Sequence, residues 1–163
     1  MNQNPLMIDI CDEASLLEAC DLLHDAEFDL EAAEFEEKIG CWTGRFAREF
    51  FEDPALIKVR HRFVFTKFTF PLIGSILRLE GVESCEVTDN SRIRWYTFNE
   101  CRPSGDLYRF IFCQDMEIRM HFRDNPRGLL RDLNVLPRTR SIWRLRNPFR
   151  RGLPRPFTVE RHH

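Results

Sequence analysis

The chain has 163 residues, of which 43% are hydrophobic and 31% are charged. This length suffices for one domain with its own core, and seven glycines and nine prolines exclude a low-complexity chain. The net charge of −2 hides an asymmetry: residues 1–53 hold 15 acids and three bases (net −12), and residues 54–163 hold 11 acids and 21 bases (net +10). This split predicts either a partner for one part or neutralisation between the two, within one fold or across a dimer.

The first residues, MNQNPLMIDICDEASLL, lack the basic and apolar regions of a secretory signal. No run approaches the 18 apolar residues that a membrane span needs, so we expect no membrane partner. The six cysteines form no C-x-x-C pair, which favours reduced thiols over disulfides or a metal site. These features predict a small cytoplasmic protein.

The predicted elements begin with a helix over residues 13–25. Leu16, Cys20 and Leu23 recur at helical spacing, and Asp12 has the side chain of a good N-cap. The next stretch mixes helix formers with an alternating pattern, and we interpret it as a hairpin of residues 28–36 with 41–48.

Strand patterns dominate after Pro54. The stretch IKVRHRFVFTKFTF, residues 57–70, alternates over its whole length and predicts one long strand whose phenylalanines pack in the core. Gln114 and Asp115 leave room only for a tight hairpin between their neighbouring strands. The intervals are too short for crossover helices, so we expect antiparallel pairing. The further predicted strands span residues 75–87, 92–99, 107–113, 116–122 and 129–136.

These elements predict an α+β fold: an N-terminal helix packed on an antiparallel β-meander of about seven to eight strands, curled into an open barrel or a sandwich. Residues 1–136 form the single domain. Prolines at 137, 148, 154 and 156 disfavour a central strand, so we interpret residues 137–163 as an extended arginine- and proline-rich C-terminal tail docked on the domain.

The tail carries the leading functional hypothesis. Its arginines and tryptophan face either protein carboxylates or another anion. The acid-rich N-terminal third offers an acidic counter-patch whose negative charge is similar in size to the positive charge of the tail. We therefore expect a protein-binding or self-associating module, with a protein partner or a homo-oligomer, and no catalysis. The candidate binding residues are Arg138, Arg140, Trp143, Arg144, Arg146, Arg150 and Arg151, and the acidic counter-patch is Glu31, Glu34, Glu36 and Glu37.

Two alternatives stay open. The same tail fits nucleic acid, because arginines neutralise phosphates and aromatic rings stack on unpaired bases. An enzyme with its site in the barrel mouth would need His61, His121 or a cysteine to converge with carboxylates. No nucleophile elbow, phosphate loop, dinucleotide fingerprint or metal-ligand spacing occurs, so we expect no cofactor and no metal. His162 and His163 are left out of this reasoning because terminal histidines can be a purification tag.

Overall fold

The computed structural model describes residues 6–145, which form a mostly antiparallel β structure with one short helix. No helix in this range is long and apolar enough to cross a membrane. Besides two 3-10 turns, the elements are β1 (Met7–Ile10), α1 (Glu13–Leu22), β2 (Glu27–Asp29), β3 (Glu34–Glu36), β4 (Cys41–Glu49), β5 (Lys58–Arg62), β6 (Phe65–Asp89), β7 (Trp95–Ser104), β8 (Leu107–Phe112) and β9 (Met116–Leu145).

Helix α1 begins at the predicted cap. The Asp12 carboxylate accepts a hydrogen bond from the Ser15 amide at 2.8 Å, and the Ser15 hydroxyl accepts one from the Asp12 amide at 3.1 Å. This reciprocal pair satisfies donors that the first helical turn leaves free. The helix ends at Leu22, three residues before the predicted end, and Asp25 then takes a left-handed backbone angle with φ 64°. Leu16 and Leu23 are fully buried against the barrel.

Six strands close into a barrel in the order β9-β8-β7-β2-β4-β6, and the ring is completed where β6 pairs with β9. The prediction of an open barrel or sandwich was therefore wrong. The meander holds only in part: β7, β8 and β9 are consecutive neighbours, but β6 pairs with β9 and β7 pairs with β2. Closure follows because β6 is long enough to pair with β4 on one edge and with β9 on the other. Strands β1, β3 and β5 lie outside the ring.

Aromatic side chains fill the barrel interior. The ring of Phe28 lies 4.7 Å from that of Phe112 and 5.0 Å from that of Phe46, measured between centroids. Phe98 stands edge-on to Phe112 at 5.3 Å. Small barrels of this size are packed cores rather than pores. The barrel interior is therefore filled, and we expect a binding site on the surface.

Strand β9 continues through Pro137 to Leu145, so regular structure does not end at residue 136 as predicted. The register with β6 jumps from Ile73–Val135 to Pro71–Thr139. The extra residues on β9 form a bulge, which is where a sheet accepts a proline that lacks an N–H donor. Arg146, Arg150 and Arg151 lie outside the described residues.

Three chain segments extend beyond the barrel, and we call them the arm: β5, residues 65–71 of β6 and residues 139–145 of β9. The single strand predicted for residues 57–70 is a hairpin instead, because Arg62 pairs with Phe65 across a turn formed by Phe63 and Val64. An apolar two-residue turn gives no turn signal in the sequence, since such turns usually contain glycine or asparagine.

Candidate functional site

Two of the predicted tail arginines meet carboxylates from the first third of the chain. Arg138 Nη1 lies 2.6 Å from Glu27 Oε2, and its guanidinium carbon lies 5.1 Å from the centre of the Trp95 ring. Arg140 Nε lies 3.3 Å from Glu49 Oε1, and its Nη1 donates to the Asp25 carbonyl at 2.8 Å. The positive charge of both arginines is thus balanced within the chain.

The acids at these contacts differ from the predicted counter-patch. Glu31, in the 3-10 turn that follows β2, lies 3.4 Å from Arg94, the residue directly before β7. Glu34, Glu36 and Glu37 are exposed and form no ion pair with any residue between 6 and 145. The structure therefore separates these acids from Arg138 and Arg140.

Glu49 occupies the more buried of the two contacts, with 11% of its side chain exposed. Burial raises the pKa of Glu49, and the nearby Arg140 guanidinium opposes this by favouring the charged carboxylate. Arg140 is therefore a cation that favours the charged form of a desolvated carboxylate at the base of the arm.

The buried face of β6 changes sides between the barrel and the arm. In the barrel the odd-numbered residues Ile73, Ser75 and Leu77 are buried, whereas in the arm the even-numbered Phe68 and Phe70 are buried. Successive side chains of a strand alternate between its two faces. The face that lines the barrel interior therefore continues into the arm as a solvent-exposed surface.

We call this exposed surface of the arm the open face. Directly paired residues on antiparallel strands share a face, and the pairs Arg60–Lys67, Lys67–Trp143 and Arg62–Phe65 place their side chains together. Lys58 joins them two residues before Arg60 on the same face. The open face consists of Lys58, Arg60, Arg62, Phe65, Lys67 and Trp143.

The open face combines positively charged side chains with exposed rings. Residues 54–79 and 133–145 contain no acidic residue, and none of its four cations forms an ion pair with a described residue. Trp143 is 51% exposed, and Lys67 Nζ lies 5.5 Å from the centre of its ring. Four cations that form no ion pair with a residue between 6 and 145 create a positive potential that an anionic ligand can lower.

Sequence reasoning missed most of this site. It assigned Trp143 to a binding surface, but it treated Phe63 and Phe65 as core residues and gave Arg60 and Arg62 no role. Phe68 and Phe70 are buried as predicted, whereas Phe63 and Phe65 are exposed. The detectable signal was the absence of any acid across residues 54–79 in a chain with 26 acids.

Arg144 also lies on the arm, but on the opposite face. It pairs with Thr66, whose hydroxyl lies 3.0 Å from His61 Nδ1. Arg144 is exposed and has no ion-pair partner within residues 6–145. The candidate binding residues Trp143 and Arg144 therefore lie on opposite faces of the arm.

The described residues do not assemble the convergent site that an enzyme in the barrel mouth would need. His121 Nδ1 lies 3.5 Å from Asp106 Oδ2 at the exposed β7–β8 turn, whereas His61 contacts Thr66 on the arm. Within residues 6–145, no group of three or more histidine, cysteine or acidic side chains is placed to hold a metal ion. All six cysteines are free thiols, and they are distributed between the core and the surface.

Comparisons with known proteins found no family model that matches the chain, and no curated protein or solved structure that matches it significantly.

Proposed function

We propose that this protein is a non-catalytic binding module that holds single-stranded nucleic acid on the open face of the arm. The observation that carries the proposal is the placement of four cations, none of them ion-paired with a described residue, and two exposed aromatic rings on one face of three paired strands. Phosphates need the cations, and unpaired bases need flat apolar surfaces on which to stack.

The dimensions of the open face suit a chain of nucleotides. Cross-strand neighbours have Cβ atoms about 5 Å apart, so Arg60, Lys67 and Trp143 form a row about 10 Å long across the arm. Arg62 and Phe65 form a second row beside it. The first row consists of two cations followed by a ring, and the second consists of one cation beside a ring. A flexible strand can therefore place its phosphates on the cations and its bases on the rings.

The ion pairs at the base of the arm also support the open face as the binding surface for nucleic acid. Arg138 and Arg140 are occupied by Glu27 and Glu49, so they act as internal clamps. The cations of the open face have no such partner among the described residues. An overall charge of −2 does not oppose binding, because a basic patch acts locally within a Debye length of about 8–10 Å.

Fluorescence anisotropy with a short labelled oligothymidine tests this proposal. The variant Arg60→Ala/Arg62→Ala should weaken binding and reduce the slope of log affinity against log salt by about 1.4, which is about 0.7 for each lost phosphate contact. Phe65→Ala and Trp143→Ala should each weaken binding roughly 5- to 150-fold, the range measured for one stacked base.

The matched control is Arg123→Ala/Arg127→Ala, which removes the same charge from exposed residues of β9 that lie beside residues 80–83 of β6. Unlike the cations of the open face, Arg123 contacts a carboxylate, that of Glu83, at 3.5 Å. Arg127 pairs with Glu80, 13 residues from Lys67 along β6, which corresponds to roughly 40 Å. This control should leave the salt slope unchanged. Equal losses in both double variants would show that net charge, and not the open face, determines binding.

Association with a protein, including a second copy of the chain, is the second candidate. It is favoured by Glu34 and Glu36, which form no ion pair within residues 6–145, lie on one face of β3 and are opposite in charge to the arm. Sedimentation velocity at low and moderate salt should then show a salt-sensitive oligomer. A mixture of Arg60→Glu/Arg62→Glu with Glu34→Arg/Glu36→Arg should restore the association that each variant lacks alone.

A further inference from the structure

The apex of the arm presents an apolar tip that the open face does not account for. Phe63 and Val64 form the two-residue turn between β5 and β6, and they are 87% and 57% exposed. Phe63 has a φ of 50°, a left-handed conformation that is unfavourable for a bulky side chain. Asparagine or glycine would fit this turn with less strain and less exposed apolar surface.

Backbone strain combined with full exposure indicates a functional constraint on this tip. The ring stands at the end of a two-stranded hairpin, directly beyond the Arg62–Phe65 pair that closes it. It is therefore continuous with the cations that would hold an unpaired strand. Apolar side chains on such hairpins and wedges can stack on, or insert between, base pairs at a small cost in unstacking.

We infer that Phe63 stacks on the terminal base pair of a duplex while the open face binds the unpaired strand that leaves it. The preferred ligand is then a junction between single- and double-stranded nucleic acid. This inference rests on the proposed function, and it adds a ligand class that the open face alone does not select. Charge complementarity favours this ligand, because Arg60 and Arg62 precede the tip on β5 and residues 54–79 contain no acid.

The experiment compares three labelled probes that share one strand: the single strand, a blunt duplex, and the duplex with a single-stranded overhang. The intact protein should bind the overhang probe at least about tenfold more tightly than either other probe, since one stacked ring can contribute this much. A 2-aminopurine at the last paired position should change its fluorescence on binding. Both overhang polarities are included, because the arm has a direction.

The diagnostic variant is Phe63→Asn, which removes the ring but keeps a residue that tolerates left-handed angles. It should lose the junction preference while its affinity for the single strand stays within about twofold and its melting temperature does not fall. Phe63→Trp should retain the preference. These two variants separate stacking from a folding defect of the hairpin.

Three results would overturn the inference. If the intact protein binds the single strand and the overhang probe equally, the proposed function survives and the role of Phe63 does not. If Phe63→Asn keeps the junction preference, the ring is not its source. If no nucleic acid binds but anionic phospholipid vesicles bind in a Phe63-dependent way, both the proposed function and the junction inference are wrong.

Discussion

The carboxylate of Asp132 on β9 accepts two hydrogen bonds from the guanidinium of Arg48 on β4, from Nε at 3.1 Å and from Nη2 at 2.6 Å. Both residues are almost completely buried, at 3% and 2% exposure. The Ser75 hydroxyl donates to the same carboxylate at 2.6 Å, and Glu52 lies 2.7 Å from Arg48. Burial opposes the charge of Arg48, but these partners outweigh it and raise its pKa. One network thus joins the strands β4, β6 and β9 near the arm.

Breaking this network from one side should be costly. We expect Asp132→Ala to lower the free energy of unfolding by about 3 kcal/mol, at the lower end of the range for a broken buried ion pair, because Glu52 still contacts Arg48. Urea denaturation measures the change. Replacing both charges, as Arg48→Met/Asp132→Leu, should cost much less, because the unpaired charge is then absent. A double variant as unstable as Asp132→Ala would contradict this account.

The contact between Arg140 and Glu49 should make stability depend on pH. Burial raises the pKa of Glu49, so the folded state binds this proton more tightly than the unfolded state. Stability contributed by the protonated form is therefore lost as the pH rises from the usual value of 4.5 through the raised pKa. Because Arg140 opposes this shift, Arg140→Ala should enlarge the loss.

Unfolding of Arg140→Ala followed between about pH 4 and pH 8 checks this sign. We expect a destabilisation of about 1–3 kcal/mol at neutral pH, the cost of leaving a buried acceptor without its cation, and a smaller one near pH 4. In a Glu49→Gln background, the destabilisation caused by Arg140→Ala should no longer depend on pH. A destabilisation that is the same across this range would show that Arg140 acts through packing instead.

The ion pairs of Glu117 should make stability change with pH in the direction opposite to that of Glu49. Hydrogen bonds from Arg109, and next from Arg119, lower its pKa to about 2 against partial burial. The Arg109 bonds span 2.6 Å and 3.1 Å. A lowered pKa means that this stability is present above pH 4.5 and is lost as the pH falls towards 2. Glu117→Gln should therefore destabilise the protein at neutral pH and flatten its acid unfolding, as followed by circular dichroism.

Gly128 should not tolerate a side chain. A Cβ at this position would lie 1.9 Å from the carbonyl oxygen of Arg78, a backbone atom of the paired strand β6 that cannot move aside. We expect Gly128→Ala to cost about 1–3 kcal/mol or more through overpacking, measured as a fall in melting temperature. Gly74→Ala is the control: its nearest contact would be an ordinary 3.5 Å to Leu136, and its effect should be near zero. Similar losses in both variants would contradict the steric explanation.

Several local features were predictable because they depend on short-range physics. The N-cap at Asp12 follows from local side-chain chemistry, and the structure confirms it. The reciprocal bond to the Ser15 hydroxyl was not predicted. A tight hairpin at Gln114 and Asp115 is also confirmed, with both residues at positive φ, but its loop has three residues because it includes Cys113. The separation of charge between the two parts of the chain was visible by counting.

The features that define the candidate site are long-range, and local patterns could not reveal them. The alternation through Phe63 and Phe65 is the same for one long strand as for a hairpin with an apolar turn, so periodicity could not locate the apex. Which acids neutralise Arg138 and Arg140 depends on pairings across more than 90 residues. Barrel closure likewise depends on β6 pairing with β9 and not with β7, the next strand in the sequence.

By itself, the sequence determined the strand-rich character, the capped helix and the surplus of arginine in the second part of the chain, because composition and alternation act locally. Only the tertiary structure decided which face of the arm is exposed and which cations lack carboxylate partners among the described residues. The physical reason is that a strand offers two chemically similar faces, and burial is assigned to one of them only when distant segments pack against it.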